Sequence, residues 1–418
     1  MIRLKDFFSI LKNKNFFLLW ISQIISQFGD RLTQMALIAL MSARSPGSTL
    51  NLAKLLSFTI IPVFVIGPVA GVYVDRYSRR RIMIISDILR GVFILSIPLF
   101  LMDIKDKILP IYIAVFLSYS VTRFFLTSKL SIIPDLVTNN QLLAANSLSS
   151  TTAMIAAILG FGIGGVLVEL VGIKGGFYID STTFFLSAVM ITLISVKEAN
   201  SILNKIQNRI EKKSIFKEFK EGLSYIPRDK KVLFVSAIQF LLMSGIGSVY
   251  VIIIIFIQQT LGSATRHLGL LVMFLGAGLF LGSVIYGGFG SRFSKVKIIF
   301  FSLIICGILI ISFTALVKIS CSFLVAALIA FLLGLSVSPI AISNNTLLHE
   351  LIPNQMRGKI FSSLEIVSHL AFLSFMFLSA LLGEYLDRAW ILIFIGVLFS
   401  IFGIIGLFLK FRYERLRL

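Results

Sequence analysis

"SQFGDRLTQMAL", residues 26–37, decides how this chain is read. Asp30 and Arg31 stand side by side inside an otherwise apolar run from Phe16 to Met41. Gln23, Gln27, Asp30 and Gln34 are spaced four, three and four apart, so on a helix they form one polar stripe. At 1.5 Å per residue, Asp30 lies ~21 Å along such a helix from Phe16. In lipid, a lone charge at the middle of a helix costs at least ~2.5–3.5 kcal/mol, so a stripe there implies a wet cavity or a packed interior. Arg31 points about 100° away and need not be the partner of Asp30.

The rest of the chain says which solvent surrounds that helix. Its 418 residues are 57% hydrophobic and 14% charged, with a mean hydropathy of +0.97. A soluble protein of that composition would expose large apolar patches and aggregate. The formal charge of +20 would suggest nucleic-acid binding on a soluble chain. Here the basic residues fall in short segments between apolar runs, where they orient membrane helices. Cys306 and Cys321 have neither CxxC spacing nor histidine neighbours, and His267, His349 and His369 are scattered. No disulfide framework, metal centre or cofactor is expected. The opening "MIRLKDFFSILKNKNFFLLW" runs from positive to apolar, but the apolar run is too long for a cleaved leader and lacks a small-residue cleavage site. It is expected to be the first membrane helix.

About twelve segments have the ~20 apolar residues a crossing needs: 15–42, 52–74, 81–101, 109–130, 147–171, 176–196, 232–259, 267–289, 297–317, 322–345, 359–384 and 389–410. Their unbroken Ile, Leu and Phe runs lack the alternation of a barrel strand. Lys and Arg concentrate in the N-terminus, in "DRYSRRR", in 197–231 and in the tail "KFRYERLRL", all on one side of a twelve-span chain. The opposite connections, "SPGSTLN", "MDIKDK", "VGIKG" and "EYLDRA", are nearly balanced. Both termini and the central loop are therefore expected in the cytoplasm.

Three regions follow: an N-terminal six-helix bundle over 1–196, a cytoplasmic linker over 197–231 and a C-terminal six-helix bundle over 232–418. In the linker, Phe216, Phe219, Leu223 and Ile226 fall at helical spacing, opposite Lys217, Glu218, Lys220 and Glu221. That pattern predicts an amphipathic helix on the membrane surface. The two bundles look duplicated. Gly29 matches Gly245, and Gly71 in "GVYVDRYSRR" matches Gly287 in "GGFGSRFSKV", each 216 positions apart. Val137 matches Ile352, and Gly164–Gly165 match Ser379–Ala380, each 215 apart. Parallel repeats of this kind build transporters whose two bundles rock about a midplane site.

"GVYVDRYSRRR" places Gly71, Asp75, Arg76, Arg79 and Arg80 in a G-x-x-x-D-R-x-G-R-R pattern between the second and third spans, with Ser78 at the second glycine. That pattern resembles the signature of the major facilitator superfamily. With "FFLLWISQIISQFGDRL", "SIIPDLVTNNQLLAANSL" and "LIPNQMRGKIFSS", the likeness extends over most of the chain to the macrolide-efflux and enterobactin-exporter branch of drug:proton antiporters. The resemblance implies an all-α fold of twelve transmembrane helices in two pseudo-symmetric bundles. It also implies that Gly71, Asp75, Arg76, Arg79 and Arg80 form a conformational latch. Simple topology anchoring would explain the arginines as well. Ser291 stands where the second half would carry the aspartate. "ILGFGIGGVL" resembles the glycine-rich antiporter motif, with Gly160, Gly164 and Gly165 in place and Phe161 at the usual proline. Small residues three or four apart also pack helices closely without any antiport.

Further charges fall inside predicted spans. Asp87 and Arg90, three apart, can pair on one helix face. Arg123 lies in the fourth span, and Asp180 near the outer end of the sixth. In the second half Ile246 replaces Asp30, and Glu365 with His369 are the main ionisable residues. Burial favours the neutral form of a carboxylate, so protons and a cationic substrate would compete at such a site. Asp30 is the leading candidate for proton coupling, tuned by Arg123, Asp87 and Arg90. The alternative is a structural salt bridge from Asp30 to Arg90 or Arg123. No HExxH, G-x-S-x-G or Walker motif points to an enzyme. The expected function is proton-coupled export of amphipathic drug-, macrolide- or siderophore-like molecules by a monomer, with protons and membrane lipid as its other partners and no nucleic acid. A lysophospholipid flippase and a non-transporting membrane receptor are the alternatives.

Overall fold

The computed structural model describes residues 10–103, 108–195, 215–354 and 356–413. Thirteen α-helices carry the argument: α1 Lys14–Arg44, α2 Thr49–Val65, α3 Gly67–Val74, α4 Arg79–Ser96, α5 Leu109–Leu136, α6 Leu142–Thr192, α7 Ile215–Tyr225, α8 Lys230–Leu261, α9 Arg266–Phe289, α10 Lys295–Ser320, α11 Phe323–Leu351, α12 Arg357–Tyr385 and α13 Arg388–Tyr413. No strand occurs among the described residues. Helices satisfy every backbone hydrogen bond within one segment, which lipid demands. The basic stretches 1–9, 197–214 and 414–418 lie outside the described residues, as do the side chains of Phe216, Lys217, Glu218, Phe219 and Ser291.

Among the described residues, nine helices are long and apolar enough to cross a membrane, or ten if α2 and α3 form one span bent by 46°. The sequence-based count of twelve differs at two places. The glutamines and the Asp30–Arg31 pair lower the hydropathy of α1 below that measure. The predicted fifth and sixth spans are two helices that meet without a loop across a kink at Gly172, and over their 51 residues they are numbered together as α6. The expected "VGIKG" loop is helical, apart from a break at Gly172 with φ 78°, a conformation that favours glycine. The break divides α6 into a first arm, 142–171, and a second arm, 173–192. The predicted fourth span also stops short, since α5 continues through Pro134 to Leu136.

The chain divides into two compact units. The first comprises 1–41 and 55–212. At one end of it Phe16, Leu19, Met83, Phe125, Ile132, Ile133, Ala145 and Ile191 form an apolar core. Toward its middle, the helices pack around small residues. The space beside Gly160 is filled by Arg31 of α1, 2.9 Å from where a Cβ would stand, and Gly164 sits against the Arg31–Leu32 backbone at 3.6 Å. Gly165 is buried beside them.

The second unit comprises 42–54 and 213–418. Its helices meet through glycine. A Cβ at Gly282 would stand 2.9 Å from the Leu335 carbonyl oxygen and one at Gly403 2.7 Å from that of Phe300, and Gly307 and Gly396 face each other. Small residues at such contacts let backbones approach closely. The segment 42–54 is tied here by Glu384. Its carboxylate accepts from Ser48 Oγ and the Leu50 amide, both at 2.8 Å, and so caps the start of α2 from another helix. Arg388 donates to the Gly47 carbonyl at 2.9 Å. Helix α7 docks on α12 through Lys359–Glu221 at 2.5 Å, with Gly222 against the Lys359 backbone. Ile226 and Ile360 join the apolar cluster beneath it.

Candidate functional site

Arg90 is the centre of the first unit. Its guanidinium is buried on α4 and donates in two directions: Nη1 to Asp87 Oδ1 at 3.1 Å and Nη2 to Asp30 Oδ1 at 2.7 Å. Asp87 and Arg90 lie one helical turn apart on one face, which makes the first contact local to α4. The second requires α1 to pack against α4. The guanidinium face lies 3.9 Å from the centre of the Phe184 ring, with Phe125 at 5.5 Å. Two carboxylates and two aromatic faces compensate a cation that has lost its water. Asp87 Oδ2 accepts from Ser187 Oγ on the second arm of α6, at 2.5 Å.

The second arm also brings Asp180, a fully buried carboxyl. Gly29 makes this possible. A Cβ at Gly29 would overlap Thr183 Oγ1 and Asp180 Oδ1, so the missing side chain lets the second arm close on α1. Ser181 Oγ donates to the Gly91 carbonyl at 3.0 Å and ties the same turn to α4. Thr183 Oγ1 reaches Asp180 Oδ1 at 3.2 Å, while Asp180 Oδ2 has no hydrogen-bond partner among the described residues. The charges acting on Asp180 are Asp30 and Arg90. From α5, Lys129 faces Asp30 and Arg90 and is also buried. The cluster thus contains three carboxylates and two cations.

Asp30 is its open end. The side chain of Asp30 is 27% exposed, against 2% for Arg90 and 0% for Asp87. Between α1 and α6 lies a cleft of about 490 Å³ lined by Trp20, Ile24, Phe28, Ile155, Leu159 and Thr183 among others. Its lining is almost wholly apolar, a common property of small-molecule sites. Thr183 belongs to both features, bounding the cleft and bonding Asp180.

The remaining predicted residues divide between this cluster and other places. Gln23 is buried and locked to Ser149, donating to its carbonyl at 3.0 Å and accepting its hydroxyl at 2.9 Å. It fastens α1 to α6. Gln34 accepts from Arg31 Nη1 at 3.0 Å, and Arg31 lies over the Phe161 ring at 4.8 Å. The residue at the usual proline therefore packs against a cation. Gln27 is half-buried. Arg123 is half-buried on α5, six residues before Lys129. In the second unit, Glu365 is exposed and His369 Nδ1 bonds its carbonyl at 2.8 Å.

The signature after α3 is placed differently from the cluster. Arg79 pairs with Asp135 at the end of α5. Arg80 donates to the Ile191 and Thr192 carbonyls, the C-terminus of α6, where a cation is favoured. Asp75 and Arg76 are exposed, and the space beside Gly71 is open. The sequence reading did not include Lys129, Asp135 or Ser187. Lys129 stood at the predicted end of a span that in fact continues. Asp180, Thr183 and Ser187 recur three and four apart, the stripe spacing already recognised in α1.

A family model described as transmembrane secretion effector matches residues 6–415. An uncharacterized MFS-type transporter of Bacillus subtilis (strain 168), YfiS, is 26% identical over 92% of this chain and 91% of its own length. Macrolide efflux protein A of Streptococcus pyogenes is 22% identical over 88% of this chain and 89% of its own. A bacterial homologue of the iron transporter ferroportin, solved in an inward-facing state, superposes with a TM-score of 0.71 at 14% identity, covering 94% of this chain and 98% of that one. That last likeness is one of fold. A helical chain of repeated membrane spans, matched by this family model almost end to end, belongs to the transmembrane secretion effector family of major facilitator superfamily transporters.

Proposed function

We propose that this protein exports amphipathic small molecules in exchange for protons, by alternating access, from the inner membrane of a bacterium, with both termini cytoplasmic and one chain sufficient. The observation that carries this reading is a buried cluster with one carboxylate more than it has cations, set beside an apolar cleft. A ligand with apolar bulk would occupy the cleft, and its polar part would meet Thr183, the residue that joins the cleft to the cluster. The excess carboxylate supplies a group whose charge can change as the ligand arrives. Similarity to a macrolide efflux protein supports the direction and the class of ligand. Arg79, with Asp135, and Arg80, on the α6 terminus, would hold one end of the first unit together and release it during the cycle.

The test is flux. Protein in liposomes with an imposed pH gradient and a pH-sensitive dye would be offered lipophilic cations, macrolides, siderophore-like compounds and lysolipids. Collapse of the gradient that depends on one compound, and is absent in Asp30→Asn, supports coupled export. Movement of lysolipid without proton flux would favour lipid facilitation. Binding without any flux would favour a receptor.

A further inference from the structure

The cluster contains a group that its ion pairs do not use. Asp30 and Asp87 share Arg90, and Lys129 faces Asp30 and Arg90 from α5. Asp180 contacts no cation. It is fully buried, and one of its oxygens has no hydrogen-bond partner among the described residues. Around it stand Asp30 and Thr33 from α1, Arg90 from α4 and Thr183 from its own helix. The Thr33 hydroxyl is itself buried beside the Asp180 carboxyl. Three ionised acids and two cations leave a net negative charge, and Asp180 is the one of the three acids with no ion pair. With a proton on Asp180 the charges cancel, and the carboxyl gains an O–H that can donate. Burial of an unpaired ion is costly, and neutralisation is the usual escape.

We infer that Asp180, rather than Asp30, carries the coupling proton, and that the cleft communicates with it through the Thr183 hydroxyl. This rests on the proton-coupled reading above. The step is a simple protonation: one proton from water adds to the Asp180 carboxylate and later returns to water. Asp30, partly exposed and paired with Arg90, connects the cluster to solvent. A ligand in the cleft lies against Thr183, whose hydroxyl donates to the Asp180 main-chain carbonyl at 2.7 Å and reaches Asp180 Oδ1 at 3.2 Å. A ligand that turns this hydroxyl away changes the support of the charged form, and so binding and protonation become linked.

Difference infrared spectroscopy of the reconstituted protein, titrated with acid and base and without ligand, reads the protonated carboxyl directly. The expected result is one titrating band that survives in Asp30→Asn, disappears in Asp180→Asn, and changes frequency but persists in Asp180→Glu. Thr183→Val keeps the carboxyl and is expected to shift the midpoint of the band's titration. Circular dichroism and gel filtration check that each variant is folded, and Asp180→Glu and Thr183→Val keep the test open should Asp180→Asn fail to fold. A band lost in Asp30→Asn but kept in Asp180→Asn overturns the assignment, as does an unchanged titration in Thr183→Val. Wild-type protein without a band overturns it too, even if the liposome assay demonstrates coupled export. A band at Asp180 in protein that moves no protons with any compound would leave the carboxyl neutral and remove the transport reading instead.

Discussion

Gly29 and Gly245 stand 216 positions apart, and each closes against a helix of its own unit. What they meet differs. Gly29 meets Thr183 and Asp180, whereas Gly245 meets the ring of Phe399, itself 216 positions beyond Thr183. The same offset takes Asp30 to Ile246, Asp87 to Leu303, Arg90 to Cys306 and Asp180 to Gly396. Every buried charge among the described residues lies in the first unit. At the ends of the helices the two units instead agree. Arg79–Asp135 recurs as Lys295–Glu350, and Asp103–Lys174 has its counterpart, with signs reversed, in Lys318–Asp387. The duplicated frame thus keeps its outer ties and changes its interior. An interior of Leu303, Cys306 and Phe399 packs as an ordinary apolar core. An interior of charges must be compensated residue by residue.

The comparison is sharpened most by Arg90→Met. Removing the shared cation leaves Asp30 and Asp87 unpaired, which costs about 3–5 kcal/mol for a buried pair. Its counterpart Cys306→Ala is expected to cost about 1 kcal/mol, the ordinary scale of single substitutions. Thermal unfolding of the two variants in the same detergent would reveal the gap, and equal losses would show that the charged interior has no special weight.

Glycine substitutions come next. Gly29→Ala and Gly245→Ala each force a methyl into filled space, at about 1–3 kcal/mol. Only Gly29→Ala is expected to lower the proton flux of the liposome assay, since it displaces Asp180. A similar loss in Gly245→Ala would mean that the second interior takes part as directly as the first.

The outer ties are weaker. Arg79→Ala is expected to cost up to about 1 kcal/mol and Lys295→Ala a few tenths, because the second pair is the more exposed. Denaturant titration of both variants would rank them, and the reverse order would break the proposed equivalence.

The smallest effect is electrostatic. A hydrogen bond from Lys318, followed by the Ala389 amide, holds the Asp387 carboxyl below its ordinary value. A depressed folded value stabilises above the unfolded one and is lost as pH falls through the folded value. Acid titration of stability is therefore expected to show a slight loss below roughly pH 4 that Asp387→Asn abolishes. Exposure of about half of that side chain keeps the effect small.

Much of this was legible in the chain. The span pattern, the repeat at 216 and 215, and the pairing of Asp87 with Arg90 depend on neighbours in sequence. So did Asp30, since a polar stripe in an apolar helix requires a partner wherever it packs. Other features were not. Lys129 went unnoticed at the end of a span predicted to stop at 130, and Asp135 because its partner lies 56 residues away. Gln23 belonged to the same stripe as Asp30 yet serves to bolt two helices together.

The sequence by itself determined that this chain crosses a membrane many times, that similar positions recur in order 215 and 216 apart, and that the charges inside its spans concentrate in the first half. Those are properties of composition and period, because lipid acts on each segment separately. Only the tertiary structure decided which charges meet. Asp30 reaches Arg90 across 60 residues, and Asp180 approaches α1 because Gly29 has no side chain to hold it off. The rotation of each helix about its axis sets those meetings, and it is settled by packing against neighbours far along the chain.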